Sequence, residues 1–476
     1  MPVADCGLRQ LATSLLHKSH GQGSGQTFSE FTGELNRVLR DNSSLAEEMM
    51  LKSLGSILAG NLALFALALM ASCSCLCGDK IPAIGSAPFR RPGQDPNGKG
   101  EVWRFVASGD SRNCGDVVMP AIAAGAKLDG AQFYWHLGDL RAIYDFDNDM
   151  LQEAKLANKH LTIVDYENNA WDDFYKNQVV PFENIPFYLG IGNHETIPPK
   201  TRCAFVNRFE TLLDKAELQG GKAVPAQTPK SHAKPSPSAQ NPIDCKKSPD
   251  AFPCCRNNCQ ECDRLRSKTY YQWVKNGVDF IYLDNASNDQ FDDDQMRWFD
   301  GVMKADADNK QLQTIVVGMH KALPWSVSCD HSMNESPQGI ASGVKVYEAL
   351  LDLQKKDKKI YLLASHSHYY LQDIFNTRHW NNRVLPGWIV GTAGAERYVL
   401  PRQADRAKAR ANVYGYLLGR VYADGRIAFE FTELKPSDVP GETQSHYSER
   451  FVKESCFAGN ISSREPEERD YCKETP

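Results

Sequence analysis

Trp103-Arg104-Phe105-Val106-Ala107-Ser108-Gly109-Asp110-Ser111-Arg112 decides how this chain is read. The apolar run Trp103 to Ala107 predicts a strand, and it stops at a Gly-Asp turn. The same phrase recurs downstream. Gln132 to Trp135 leads into Gly138-Asp139, and Phe187 to Ile191 into Gly192-Asn193-His194-Glu195. Thr314 to Val317 leads into Gly318-Met319-His320, and Ile360 to Leu363 into Ser365-His366-Ser367-His368. Open α/β sheets carry their sites at the carboxyl ends of strands, so these ends are expected to share one crevice.

Taken singly, the polar residues at those ends have duller readings. Asp110 and Asp139 each serve equally well as turn or helix-capping aspartates. His320 alone reads as an ordinary surface or hydrogen-bonded histidine. His194 is harder to dismiss, because Gly-Asn-His-Glu after an apolar run is more than a bare turn needs. His366 and His368, two apart at a strand end, project to one side if extended, a spacing that suits shared or adjacent metals. Together, two Asp, one Asn and several His supply the hard-to-borderline donors that hold paired divalent or trivalent ions. That combination argues for hydrolysis, and for phosphoryl chemistry in particular.

The rest of the chain sets the context. With 476 residues and 42% hydrophobic content it can bury a large core, and its net charge of −5 gives no overall basic field for nucleic acid. Residues 54–71 carry no charge and follow Lys52, which fits either a membrane anchor or a signal peptide. Leu69-Met70-Ala71-Ser72-Cys73 is similar to a bacterial lipobox, with Cys73 as the lipidated residue. The reading along the chain is an N-terminal extension (1–48), a signal or anchor segment (49–78), a Pro/Gly-rich linker (79–100), a catalytic domain (101–435) and a polar tail (436–476). Export and membrane tethering are expected. Within the catalytic domain, 215–268 is an insertion. Its Ala/Pro/Lys/Ser-rich part is too poor in large apolar residues to offset ordering entropy. Its cysteines Cys245, Cys254, Cys255, Cys259 and Cys262 read as disulfides in an oxidising compartment, with zinc as the alternative. Cys203, Cys329, Cys456 and Cys472 are candidate partners.

The order of the motifs resembles the calcineurin-like metallophosphoesterase superfamily, which includes the purple acid phosphatases, over roughly Trp103 to Leu434. The resemblance implies a two-sheet α/β sandwich, two metal ions (iron, manganese or zinc) and a phosphate-ester substrate attacked by metal-bound hydroxide. It implies that Asp139 bridges the ions, that Asp110 and His368 bind the first, and that Asn193, His320 and His366 bind the second. His194 would assist the leaving group as a proton donor. The chain departs from the pattern at Ser365, where the superfamily has glycine but both histidines remain, and more seriously at the first ion: Arg112 stands where the superfamily usually has a ligand histidine, and Ala142 where the purple acid phosphatases have a ligand tyrosine. Tyr144 or His136 are candidates to fill that gap, and Arg112 is a candidate for gripping substrate phosphate. The alternative is a non-catalytic surface binding protein on this scaffold, with a weakened first metal site.

Overall fold

The computed structural model describes residues 100–219 and 269–463. The expectations placed on residues 1–99, on the cysteine-rich part of the insertion and on Cys472 lie outside the described residues. Along the chain come β1 (Glu101–Ser108), α1 (Gly115–Leu128), β2 (Tyr134–His136), α2 (Asn148–Leu156), α3 (Ile163–Phe174), β3 (Phe187–Leu189) and α4 (Arg202–Gln219). β4 (Tyr271–Lys275), β5 (Val278–Leu283), α5 (Asp293–Asp308), β6 (Thr314–Met319), α6 (Pro337–Gln354) and β7 (Lys359–Ala364) follow. The described part ends with β8 (Tyr370–Gln372), β9 (Gly387–Val390), β10 (Ala409–Arg410), β11 (Tyr414–Tyr422), β12 (Ile427–Leu434) and α7 (Gly441–Tyr447).

These strands form two sheets, the two-sheet α/β architecture expected from the sequence. The five-stranded sheet runs β12-β11-β1-β2-β3 and the seven-stranded sheet β10-β8-β9-β7-β6-β5-β4. β1, β2 and β3 are parallel, as are β5, β6, β7 and β9, so the motif-bearing ends of each sheet point one way. Between the sheets lies an aromatic layer. Phe105 and Phe133 of the first sheet meet Phe280 of the second, each with ring centroids 5.1 Å apart, and Trp135 meets Trp273 at 5.0 Å. Rings of this size dominate core energetics, and packed edge to face they fix how the sheets face each other. A second core joins the far side of the seven-stranded sheet to α5 and α6, through Ile315, Val317, Phe299, Val346 and Leu350.

Helix ends follow local chemistry. Asp292 caps α5 by accepting from the Gln295 N–H at 2.8 Å, and Ser336 caps α6 by accepting from Gly339 at 2.9 Å. The hairpin expected at Asp424-Gly425 joins β11 to β12, with Gly425 at φ +77°. One expectation needs correcting. Residues 436–463, read as part of a tail, are folded over their described length, with α7 and a helical segment at Phe451–Gly459. Cys456 in that segment is disulfide-bonded to Cys114, 342 residues away, at the start of α1. Tyr447, Val452 and Cys456 are buried in the first core. Among the described residues no helix is long and apolar enough to cross a membrane.

Candidate active site

The two sheets bring their strand ends together through backbone. Gly109 donates to the Val390 carbonyl at 3.0 Å, and the Ser365 hydroxyl donates to the Leu137 carbonyl at 2.9 Å. Asp110, Asp139 and His366 all sit in the left-handed region, at φ +61°, +60° and +66°. Non-glycine residues adopt that conformation at a cost, and it is tolerated where a side chain must be aimed. The glycines make room for them. A Cβ on Gly192 would lie 2.2 Å from Asp139 Oδ1, and one on Gly138 would lie 2.6 Å from the Gly192 nitrogen.

On one side of the crevice stand Asp139, Asn193, His320 and His366. His320 Nδ1 donates to the Leu137 carbonyl at 3.0 Å, which leaves Nε2 as a lone pair pointing into the site. Nε2 faces Asp139 Oδ1 at 3.2 Å, Asn193 Oδ1 at 3.1 Å and His366 Nδ1 at 3.0 Å. One proton satisfies at most one of those contacts, whereas a cation satisfies all of them. Asp139 Oδ2 is buried without a hydrogen-bond partner, an open acceptor of the kind metal ions occupy. The charge balance asks for the same thing. Burial disfavours a charged His320 ring, yet Asp139 outweighs it and raises the group to about 9. Burial likewise opposes an ionised Asp139, but His194 and His320 hold it well below the usual carboxylate range. Asp139, His320 and His366 have donor atoms within 4.8 Å of one another. This donor set fits a divalent ion.

Asp110, Arg112, His194 and His368 stand on the other side. His368 Nδ1 donates to the Glu396 carbonyl at 2.5 Å, and His194 Nδ1 to the Ala142 carbonyl at 2.6 Å. Both rings therefore offer Nε2 lone pairs, and Arg112 takes both. Its Nη1 donates to His194 Nε2 at 2.7 Å and its Nη2 to His368 Nε2 at 3.0 Å. Asp110 Oδ1 lies 3.3 Å from His368 Nε2, while Oδ2 accepts the His366 backbone N–H at 2.8 Å. The donors implied for a first ion are assembled, but the lone pair of His368 is spent on a guanidinium. Asp110 Oδ1, like Asp139 Oδ2, is buried without a hydrogen-bond partner, but an ion held by His368 would have to displace Arg112 from its Nε2.

The two gap-filling candidates both have other partners. His136 is buried with both nitrogens used: Nδ1 accepts from Gly138 at 3.2 Å and Nε2 bonds the Ser111 hydroxyl at 3.0 Å. Tyr144 is largely exposed, and its hydroxyl accepts from Arg112 Nη1 at 3.3 Å. Tyr398 mirrors it, accepting from Nη2 at 3.4 Å with its ring stacked on His368. Burial and the charge of Arg112 push His194 down to about 4, and its Nε2 accepts from Arg112 Nη1.

Two residues of the site went unread in the sequence. Glu195 is buried and accepts three backbone N–H groups: Gly192 at 2.7 Å, Leu140 at 2.9 Å and Asp139 at 3.0 Å. It ties the Asp139 loop to the Asn193 loop, and only its place in Gly-Asn-His-Glu hinted at this. Arg141 is fully buried among Asp116, Asp147, Asp149 and Asp173. Asp147 and Asp149 in turn accept the backbone N–H groups of Asn113 and Asp116 at 2.7 and 2.9 Å, fixing the chain just beyond Arg112. Its sequence neighbours carried no signal of this.

No protein-family model matches the chain, and no curated protein does. Among solved structures, one resemblance is to a purple acid phosphatase from yellow lupin (Lupinus luteus) seeds. It has a TM-score of 0.41 and 16% identity, over 70% of this chain and 52% of that one. PhoD gives 0.35 and 12%, over 75% and 78%. A 5'-nucleotidase from Candida albicans gives 0.31 and 11%, over 75% and 58%. The chain thus spans about half the length of the lupin enzyme. At these scores they are likenesses only, and the architecture stands on the strand order and register described above.

Proposed function

We propose that the chain is a metal-dependent phosphoesterase that hydrolyses a phosphate monoester or diester. The observation that carries the reading is the convergence of Asp139 Oδ1, Asn193 Oδ1 and His366 Nδ1 on the Nε2 of His320, all within 3.2 Å. A divalent ion held there supplies Lewis-acid polarisation of a phosphoryl oxygen and acidifies a bound water.

The remaining steps belong to the chain's own side chains. Arg112 has two long contacts, to Tyr144 and Tyr398, that an anionic phosphoryl oxygen would displace in favour of shorter, charge-assisted bonds. One N–H of Nη1 stays on His194 and one of Nη2 on His368, so the guanidinium is held in place while it grips phosphate. His194, its Nδ1 fixed on the Ala142 carbonyl, positions Arg112 through Nε2. The ring of Tyr144, 5.2 Å from His194, walls the solvent side.

Export and tethering belong to the same proposal. They are supported by the uncharged run 54–71 and by the Cys114–Cys456 disulfide, a type of bond that persists in oxidising compartments. The pairing of Arg112 with His368 favours a second reading, the non-catalytic binding protein. Assays of the purified full chain with aryl phosphate monoesters and diesters, supplied with manganese, zinc or iron, separate the two. Expected is turnover that falls in His320→Ala by more than the roughly 10- to 100-fold typical of losing an outer-shell partner. Absence of turnover with every metal sinks the enzyme and leaves the binding protein.

A further inference from the structure

We infer that the guanidinium of Arg112 stands in for the first metal ion of a paired centre, so that this centre takes one ion rather than two. The inference rests on the metal reading above and concerns only how many ions the crevice holds.

A neutral imidazole whose Nδ1–H is committed has a single lone pair left, on Nε2. For His368 that lone pair lies 3.0 Å from Arg112 Nη2, and for His194 the equivalent lies 2.7 Å from Nη1. A metal ligated by His368 needs the same lone pair at about 2.0–2.1 Å. The two cations exclude each other. The guanidinium is also well placed to do the electrostatic part of an ion's work. It lies among His194, His368, Tyr144 and Tyr398, and is almost wholly buried. Asp110 meanwhile uses Oδ2 on the His366 N–H, which couples the Arg112 side of the crevice to the metal side. What the guanidinium cannot do is bind water as a ligand, so only the Asp139–His320–His366 side retains that capacity.

The test counts ions without assaying hydrolysis. The full chain, stripped of metal, is titrated with Mn²⁺, a hard ion that disfavours cysteine ligands. Binding is followed by calorimetry and by electron paramagnetic resonance. Wild type is expected to bind one Mn²⁺ with the hyperfine sextet of an isolated ion. Arg112→His, which restores a ligand and vacates His368, is expected to bind two, with the spectrum of an exchange-coupled pair. Circular dichroism confirms that both are folded, and Arg112→Gly serves as a second vacating variant should the histidine variant misfold. Two ions in wild type overturn the inference, as does one ion in wild type and both variants. No ion in wild type overturns it together with the metal reading. One coupled change in ion count with no turnover in any form supports it while the phosphoesterase reading fails.

Discussion

His320 and His368 are built alike and end differently. Each follows a strand of the seven-stranded sheet, each donates Nδ1–H to a backbone carbonyl, and each turns Nε2 toward an aspartate, at 3.2 Å for Asp139 and 3.3 Å for Asp110. Around the His320 Nε2 the remaining neighbours are acceptors or a second imidazole, with no arginine or lysine among them. Around His368 the remaining neighbour is Arg112, so the cation is already covalently part of the chain. On the proposed reading, a single side chain separates a site that recruits its charge from one that carries it. The half with Arg112 is braced from outside, by the Cys114 disulfide and by Arg141 with its carboxylates. The half with His320 is braced from within, by Glu195.

The largest effect should come from removing the outer brace. Arg141→Met leaves Asp116, Asp147 and Asp149 buried without their counter-charge. Breaking a buried ion pair from one side costs about 3–5 kcal/mol, and here several carboxylates lose one partner. Chemical unfolding of metal-free protein should show that loss. Added metal should stabilise wild type and variant alike and leave the difference between them unchanged, because Arg141 touches none of the His320 side. A difference that metal closes would mean that the two halves are one unit.

Next comes a paired substitution across the crevice. Asp139→Asn should weaken Mn²⁺ binding by about two to three orders of magnitude, roughly 3–4 kcal/mol. It removes the carboxylate that faces both His320 and His194. Asp110→Asn should weaken it by about tenfold or less, since Asp110 reaches the metal side only through the His366 backbone. Calorimetric titration of both variants decides the matter. Equal losses would show that Asp110 is a ligand and that an ion sits on both sides.

The split between the halves also explains what could be read in advance. The strand ends were legible because apolar runs stopping at Gly-Asp, Gly-Asn-His-Glu and His-x-His report local chemistry, and β1, β6 and β7 fall where those runs lie. The donors on the His320 side needed nothing more. Arg112 showed only as a departure, because its meaning depends on His194 and His368, 82 and 256 residues away. Helix α1 escaped notice because it is buried nearly all round, from Val117 to Ala123, so no polar face marks its period. The Cys114–Cys456 link and the four-aspartate nest of Arg141 join segments far apart in sequence, and spacing carries no trace of such contacts. The folded stretch 436–463 was hidden for the same reason: its few apolar residues, Val439, Tyr447, Phe451 and Val452, find a core supplied by other elements.

The smallest effect, and the finest probe of the inner brace, is Glu195→Gln. Two backbone N–H groups point at Oε2 and one at Oε1, so the amide oxygen of Gln takes the Oε2 place and its NH₂ confronts the Leu140 N–H. One donor is left facing another, a loss of about 1–2 kcal/mol. The charge works in the opposite direction. Burial, and then the neighbouring Asp139 carboxylate, raise Glu195 from its ordinary value to about 7. A carboxyl raised in the folded state binds its proton more tightly there than in the unfolded chain. Its contribution is therefore fully present below about 4.5 and is lost as pH rises to about 7. Metal-free wild type should lose stability across that window, and Glu195→Gln should be flatter, so the deficit of the variant narrows between pH 5 and pH 8. Denaturant melts at several pH values check this. A deficit that widens with pH would mean that the three N–H groups hold Glu195 ionised throughout, and that the His320 half is braced by a charge rather than by shape alone.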